Sequence, residues 1–505
     1  MIELRLSVRI TNHKGQAMDA LTEYRNFIAN KRPVFGNHGF AVNPAQVNEL
    51  LKPFQRDIVV WAVRKGRAAV FADTGLGKTF ISLEWARLIG RKTIIVAPLS
   101  VARQTTRMAG ALGLEVRYVR TPEQVTGDHL LWITNYEMIE KFDASQFDAV
   151  VLDESSILKA IAGKTRRTLT EMFSRTPYRL CCTATPAPND LVEIGNHAEF
   201  LGISTASEMK AMFFINANID HYIDFAGVRM RRKGSNAGGQ EWRLRHHGEE
   251  PFYKWTASWA MSIRRPSDLG YSDDGYILPP LTVTPEWIDY TYIPDDRLVF
   301  TGFTGIKDFL ALLRKTINIR CQAAASRVNA DNDQWIVWTY LEEESTMAHN
   351  LIPDSVEVKG SDSPEYKAEM IEAFQDGKFR VLVTKPDIAG FGMNFQNARK
   401  QYWVTVRYSW EEWYQAIRRS YRFLQDRPVQ IYASLTPQMQ EVWDTIQDKE
   451  KVAAHMSEQL ISHVRKFELE ELGDAAPEKR AYTPSKQMRI PRWLVSEQVQ
   501  MGVQA

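Results

Sequence analysis

The sequence predicts an α/β chain: two doubly wound parallel-sheet domains, a mostly helical insertion between them and a helical C-terminal extension. Its 505 residues exceed one ordinary core and suffice for about two to four domains. Two separate zones alternate short β-branched runs with helical stretches, the rhythm of βαβ units. Those runs are near-continuously apolar instead of alternating, as strands covered on both faces require.

Taken in order, residues 1–45 form an N-terminal extension, whose opening has no long apolar run after its charges and is not expected to be a secretory signal. The first α/β domain is expected over 46–200, with strands at AAVFAD (68–73), KTIIVAP (92–98), LLWITNY (130–136), AVVLDES (149–155) and YRLCCTAT (178–185). The insertion spans 201–305, is rich in aromatic residues, and carries a Gly-rich stretch at 227–247 that sets six Arg or Lys against one Glu and reads as a basic loop. The second α/β domain follows over 306–440, with strands at QWIVWTY (334–340), SVEVKG (355–360), FRVLVTK (379–385), KQYWVTV (400–406) and PVQIYAS (428–434). From 441 to 505 the chain reads as helix and then as an irregular tail interrupted by Pro477, Pro484 and Pro491.

Composition narrows the function classes. Apolar residues make up 44% and charged residues 25%, a globular balance. The formal net charge is only +2, so any nucleic-acid binding must come from local patches. Three cysteines, Cys181, Cys182 and Cys321, cannot build a zinc site or a disulfide framework, which points to the cytoplasm. No stretch approaches the roughly 20 apolar residues of a membrane span, so no membrane association is expected.

The strongest local signal is Ala72-Asp73-Thr74-Gly75-Leu76-Gly77-Lys78-Thr79, which follows a strand and opens a helix. Glycines there let backbone N–H groups approach phosphate oxygens, and the helix N-terminus adds partial positive charge. Thr74 to Thr79 would cradle the phosphates, with Lys78 on the β- and γ-phosphates and the Thr79 hydroxyl on Mg²⁺. Ala72 replaces the first glycine of the strict pattern, and a Gly-rich strand–helix turn would look similar. VVLDESS supplies a second half: Asp153 as a Mg²⁺ ligand and Glu154 to orient and deprotonate the attacking water. Alone, an Asp–Glu pair is an ordinary strand end. The two motifs together indicate a nucleotide triphosphatase.

ADTGLGKT, VVLDESS, CCTATP and QAIRRSYRFLQ stand in the order found in superfamily 2 helicases and translocases. Over roughly residues 50–435 the chain resembles Swi/Snf-type ATPases and the related helicase-like proteins of bacteriophages and prophages, where a phage origin would mean a bacterial host cytoplasm. The resemblance implies two RecA-like domains, ATP as nucleotide and Mg²⁺ as metal. It also implies that Gln55 reads the adenine edge, for which an amide offers both donor and acceptor. Thr183 and Thr185 would couple the Asp–Glu motif to the second domain, together with Gly392, Asn394 and Gln415. Arg419 and Arg422, three apart on one helix face, would reach the γ-phosphate as arginine fingers, worth about 10³–10⁵ in rate. Two departures stand out: Ser156 occupies the position where many relatives carry His or Asp, and TKPDIAG lengthens the Gly-rich motif of the second domain.

The same resemblance implies DNA as partner, with duplex favoured over single strands, and backbone contacts near Ser100 and Asn135. The basic loop, with Arg229, Arg231, Arg232, Lys233, Arg243 and Arg245, could add a grip on duplex DNA or be merely solvated. Trp242 could stack on a base or anchor the loop against the core, and Lys159 and Lys164 are weaker candidates for the grip. The favoured function is an ATP-dependent DNA translocase or helicase. Two other classes compete: a P-loop ATPase that does not act on nucleic acid, and a catalytically silent DNA-binding scaffold. No metal-nuclease constellation stands in the insertion or the tail. Protein partners cannot be read from the sequence.

Overall fold

The computed structural model describes residues 37–159, 163–216, 222–225, 228–231, 242–293, 300, 302–389 and 394–472. Its frame is two wholly parallel sheets. The first has seven strands: β1 (Arg67–Ala72), β2 (Thr93–Ala97), β3 (Arg117–Tyr118), β4 (Leu131–Asn135), β5 (Ala149–Asp153), β6 (Tyr178–Thr183) and β11 (Ala260–Ile263), in the order β11-β1-β6-β5-β2-β4-β3. Between β6 and β11 lie two antiparallel pairs, β7 (Phe214–Asn216) with β10 (Trp242–Leu244), and β8 (Tyr222–Phe225) with β9 (Val228–Arg231). The second sheet has six strands: β12 (Leu281–Trp287), β13 (Trp335–Trp338), β14 (Ser355–Val358), β15 (Val381–Thr384), β16 (Lys400–Trp403) and β17 (Val429–Leu435), ordered β12-β17-β16-β13-β15-β14.

The central strands divide their apolar residues between two cores, as a period of two dictates. Ala68, Val70 and Ala72 of β1 join Ile95 and Ile133 on one face, while Ala69 and Phe71 join Ile94 and Trp132 on the other. The second sheet repeats this, with Ile336 and Trp338 on one side and Trp335 and Val337 on the other. This double burial explains why the strands read as continuous apolar runs.

Two expectations change. The interval 201–305 is not simply an insertion, because it completes both sheets. Ala260 to Ile263 pair in parallel with Ala69 to Ala72, and Leu281 to Trp287 pair with Val429 to Leu435. The stretch 227–247 is not wholly a loop, since β9 and β10 fall within it. The extension opens as one 33-residue helix, Gln440–Leu472, and the expected irregular tail lies outside the described residues. Val442, Trp443 and Ile446 of that helix sit in a core of the second sheet, and Met456 and Leu460 sit in a core of the first. Among the described residues, no helix is long and apolar enough to cross a membrane.

Candidate active site

Topology brings the motifs to one edge. β1, β6 and β5 are adjacent, so the carboxyl ends that carry the phosphate loop, Thr183 and Asp153 lie side by side. Such carboxyl ends are where open α/β sheets bind ligands. The acidic pair is one strand further from β1 than a direct neighbour, with β6 between.

The phosphate loop turns on Gly75 and Gly77, whose φ values of 87° and 83° favour glycine. A second reason holds at Gly75: a β-carbon there would lie 2.8 Å from Cβ of Phe423 in the second domain. Gly77 caps the helix Lys78–Ile89. Lys78 bends back, its Nζ donating to the Ala72 carbonyl at 2.9 Å. Gln55 is buried beneath the loop; its Oε1 accepts from Lys52 N at 2.9 Å and its Nε2 donates to the Leu76 carbonyl at 2.9 Å. Its amide is thus tied to the loop that it would serve. Thr74 and Thr79 are half-buried along the loop.

Asp153 ends β5 as a buried carboxyl, and burial, reinforced by Glu154, pushes its pKa up to about 7 against the pull of Lys78. A divalent cation beside it would favour the ionised form. Glu154 has φ 55°, a left-handed conformation costly for a residue with a side chain and common at functional sites. Thr183 Oγ1 donates to Glu154 Oε2 at 3.5 Å and accepts from Thr185 N at 3.1 Å. From the second domain, Gln415 Nε2 donates to Thr185 Oγ1 at 3.4 Å, and Arg419 Nη2 donates to Gln415 Oε1 at 2.8 Å. A continuous polar path therefore joins Glu154 to Arg419 across the cleft. Burial lowers the Arg419 pKa to about 10, with Glu154 opposing the shift.

The helix Trp410–Ser420 positions these groups. Ser409 caps it by accepting from Glu412 N at 3.3 Å, and acids in its first turn with arginines in its last complement the helix dipole. It ends at Ser420, so Arg419 and Arg422 do not share its face. The chain turns past Tyr421, and Gln425 Nε2 closes the end by donating to the Ser420 carbonyl at 3.0 Å. Arg422 is half-buried in that turn, and burial lowers its pKa. Asn394 is exposed, and its Nδ2 donates to Gln396 Oε1 at 2.9 Å. Gly392 lies outside the described residues.

The sequence reading missed several cross-cleft contacts. Arg418 Nη2 lies 3.1 Å from Asp73 Oδ2, and Tyr414 OH donates to Asp73 Oδ1. Lys159 pairs with Glu411 of the second domain. Phe423 stacks on Tyr276 with ring centroids 4.4 Å apart. One signal was available: Tyr414 and Arg418 are four apart, a spacing that joins side chains on a helix, and the guanidinium lies 4.9 Å from the ring.

The nucleic-acid candidates fare differently. Asn135 is buried at the end of β4, with Oδ1 accepting from Tyr118 OH at 3.1 Å and Nδ2 donating to Glu137, so its amide serves the fold here. Ser100 is in the first turn of the helix Leu99–Ala111. Arg229 and Arg231 lie on β9, and Arg232 and Lys233 lie outside the described residues. Arg245 caps a helix instead of reaching outward, donating to the carbonyls of Ala211 at 3.0 Å and Phe214 at 3.2 Å. Trp242 packs against the first domain's core with Lys210 over its ring, the anchor reading. Arg243 is exposed, and Lys164 pairs with Glu140 at 3.4 Å.

The residues suit a magnesium nucleotide. Among the described residues no group of three or more His, Cys, Asp or Glu could hold a metal by itself, whereas Mg²⁺ typically takes one or two protein ligands and completes its shell with phosphates and water. Thr79 and Asp153 are the side chains that would supply that small share.

No curated protein matches the chain. Among solved structures, the Sulfolobus solfataricus SWI2/SNF2 ATPase core in complex with dsDNA is similar at 18% identity and a TM-score of 0.39, covering 86% of this chain and 100% of that one. Residues 54–235 match the family model described as SNF2-related domain. That family match supports the likeness to Swi/Snf-type ATPases carried by the ordered motifs, over the stretch that holds the phosphate loop, the acidic pair and Thr183.

Proposed function

We propose that this chain hydrolyses ATP in the cleft between its two α/β domains and couples each cycle to movement on DNA. One observation carries the reading: the polar path Glu154–Thr183–Thr185–Gln415–Arg419 links a candidate catalytic base in one domain to a candidate arginine finger in the other. Lys78 would hold the β- and γ-phosphates, with the loop amides from Thr74 to Thr79 around them and Gln55 at the adenine. Thr79 and Asp153 would hold Mg²⁺, which neutralises phosphate charge when bound. Glu154 would orient the attacking water and accept its proton. Arg419 and Arg422 would stabilise charge on the γ-phosphate only when the cleft is closed. Because both arginines come from the second domain, turnover and domain closure are one event. DNA as the track rests on the SNF2-related domain and on the ordered motifs.

ATP hydrolysis measured without nucleic acid, with single-stranded DNA, with duplex DNA and with RNA, beside a Lys78→Ala control, tests this. Strong stimulation by duplex DNA, lost in the control, is the expected result. Stimulation by single strands alone would favour a helicase loading on exposed DNA. Turnover indifferent to every nucleic acid would overturn the motor reading in favour of another kind of P-loop ATPase.

A further inference from the structure

We infer that Arg418, supported by Tyr414, is a positioning residue that shapes the phosphate loop from the opposite domain by holding Asp73. This inference rests on the proposed ATPase reading and adds to it a contact that none of the nucleotide-site roles above requires. Asp73 is the second residue of the loop, and its carboxylate faces both ways. On its own side, Oδ1 accepts from Thr74 N at 2.6 Å and from Thr74 Oγ1 at 3.4 Å, fixing the turn into Gly75. Across the cleft, the same carboxylate meets Arg418 at 3.1 Å and the Tyr414 hydroxyl.

The guanidinium is held in place before it reaches Asp73. It lies 4.9 Å from the Tyr414 ring and 5.3 Å from the Tyr421 ring. It also faces a cavity of about 220 Å³ shared by the loop after β6, β11 and the C-terminal helix, where Glu450 offers a second carboxylate. Burial by itself lowers the Arg418 pKa, but Asp73 together with Tyr414 and Tyr421 more than offsets it, so the group stays charged. Burial raises the Glu450 carboxyl while Arg418 pulls it down. A buried charge with one good partner is costly to strand, so the contact is strongly coupled at both ends.

Its geometry assigns the contact a task distinct from that of Arg419. Arg419 is next in sequence but joins the path to Glu154, whereas Arg418 reaches the loop that precedes Lys78. One helix thereby contacts both halves of the nucleotide site. Opening the cleft would withdraw Arg418 from Asp73 and release the Thr74 turn, so the loop takes its hydrolysis-ready shape only in the closed form.

The test is a double-mutant cycle in the full chain, with Arg418→Gln, Asp73→Asn and both together. Steady-state ATP turnover is read at saturating duplex DNA, and Tm is read without ligands. Each single variant should lower kcat by roughly ten- to hundredfold, since small misplacements at a reacting centre carry costs of that size. KM should move by less than about threefold, because the loss falls on the closed state. The double variant should be no slower than the worse single one, and Arg418→Lys should recover part of the rate. Multiplying kcat effects, or an Arg418→Gln rate within about twofold of wild type, would overturn the positioning role. The Tm cycle judges the contact independently: non-additive shifts support it and additive shifts overturn it. A wild-type protein without ATPase activity would sink the functional reading, and the positioning role with it, while the Tm cycle would still decide whether the ion pair forms.

Discussion

Arg320 is wholly buried in the second domain, and every visible partner is polar. Nη1 donates to the Val404 carbonyl at 2.7 Å, while Nη2 donates to the Leu313 carbonyl at 2.7 Å and to Glu344 Oε1 at 2.6 Å. Arg320→Ala strands Glu344 and should cost about 3–5 kcal/mol in urea unfolding of the chain, while Arg320→Met with Glu344→Gln should cost less than the single change. His197 gives a second residue-scale prediction. Its Nε2 lies 3.1 Å from Ser155 Oγ, just after the acidic pair, and burial lowers its pKa from 6.5 to about 4. As pH falls through 6.5 the unfolded chain takes up a proton that the folded chain refuses until near 4, so His197 destabilises the fold progressively over that window, by at most about 3 kcal/mol. The contribution vanishes above 6.5. Asp153, pushed up to about 7, gives the opposite slope, so variants must be compared. The loss of urea midpoint between neutral pH and about pH 5 should be smaller in His197→Gln than in wild type. An equal loss would refute the assignment. Residues of this kind were not legible in the sequence: a histidine forty-two positions from its serine partner carries no local mark. Lys78, Asp153 and Glu154 stood out in the sequence because phosphate and metal chemistry would call for such types there, the lysine at a helix start after a glycine turn and the acids at a strand end.

At the scale of elements, Thr183 and Thr185 leave β6 as the helix Trp410–Ser420 presents Gln415. Gln415 bonds both Thr185 and Arg419 and so spans the cleft on the polar path. Gln415→Ala should lower DNA-stimulated turnover roughly tenfold while nucleotide affinity, read by equilibrium binding, stays within about threefold. A matched loss of affinity would show that Gln415 acts in binding instead. Ten strands were readable as β-branched runs because burial on both faces removes polar residues from them. β11 and β12 were not. Ala260-Met261-Ser262-Ile263 is four residues long beside an aromatic helix, and β12 carries Pro285, which argues against a strand unless it lies at an edge, as it does. Helix limits were the other weak point: Arg419 and Arg422 fit a helical spacing, and only the turn closed by Gln425 separates them.

At the scale of the molecule, the two α/β domains meet through the cleft and again through the C-terminal helix. Lys449 Nζ makes the second junction polar as well, donating to the Tyr408 carbonyl at 3.1 Å and to Asn189 Oδ1 at 3.4 Å. Met456→Ala with Leu460→Ala empties the first-domain seat and should cost several kcal/mol, about 2–5 for each buried side chain. The resulting chain should show a larger radius of gyration in solution scattering and faster proteolysis between the domains, with the second-domain seat of Val442, Trp443 and Ile446 intact. An unchanged radius would mean that cleft contacts alone hold the domains together. A helix rises 1.5 Å per residue, so the 10 positions from Ile446 to Met456 make a rigid spacer of about 15 Å between the two seats. A bar pinned at both ends cannot stretch. Relative motion of the domains that keeps both seats filled is therefore restricted to swinging about that bar, like a door on its post, and each swing returns the arginines to the same arc over the phosphate loop.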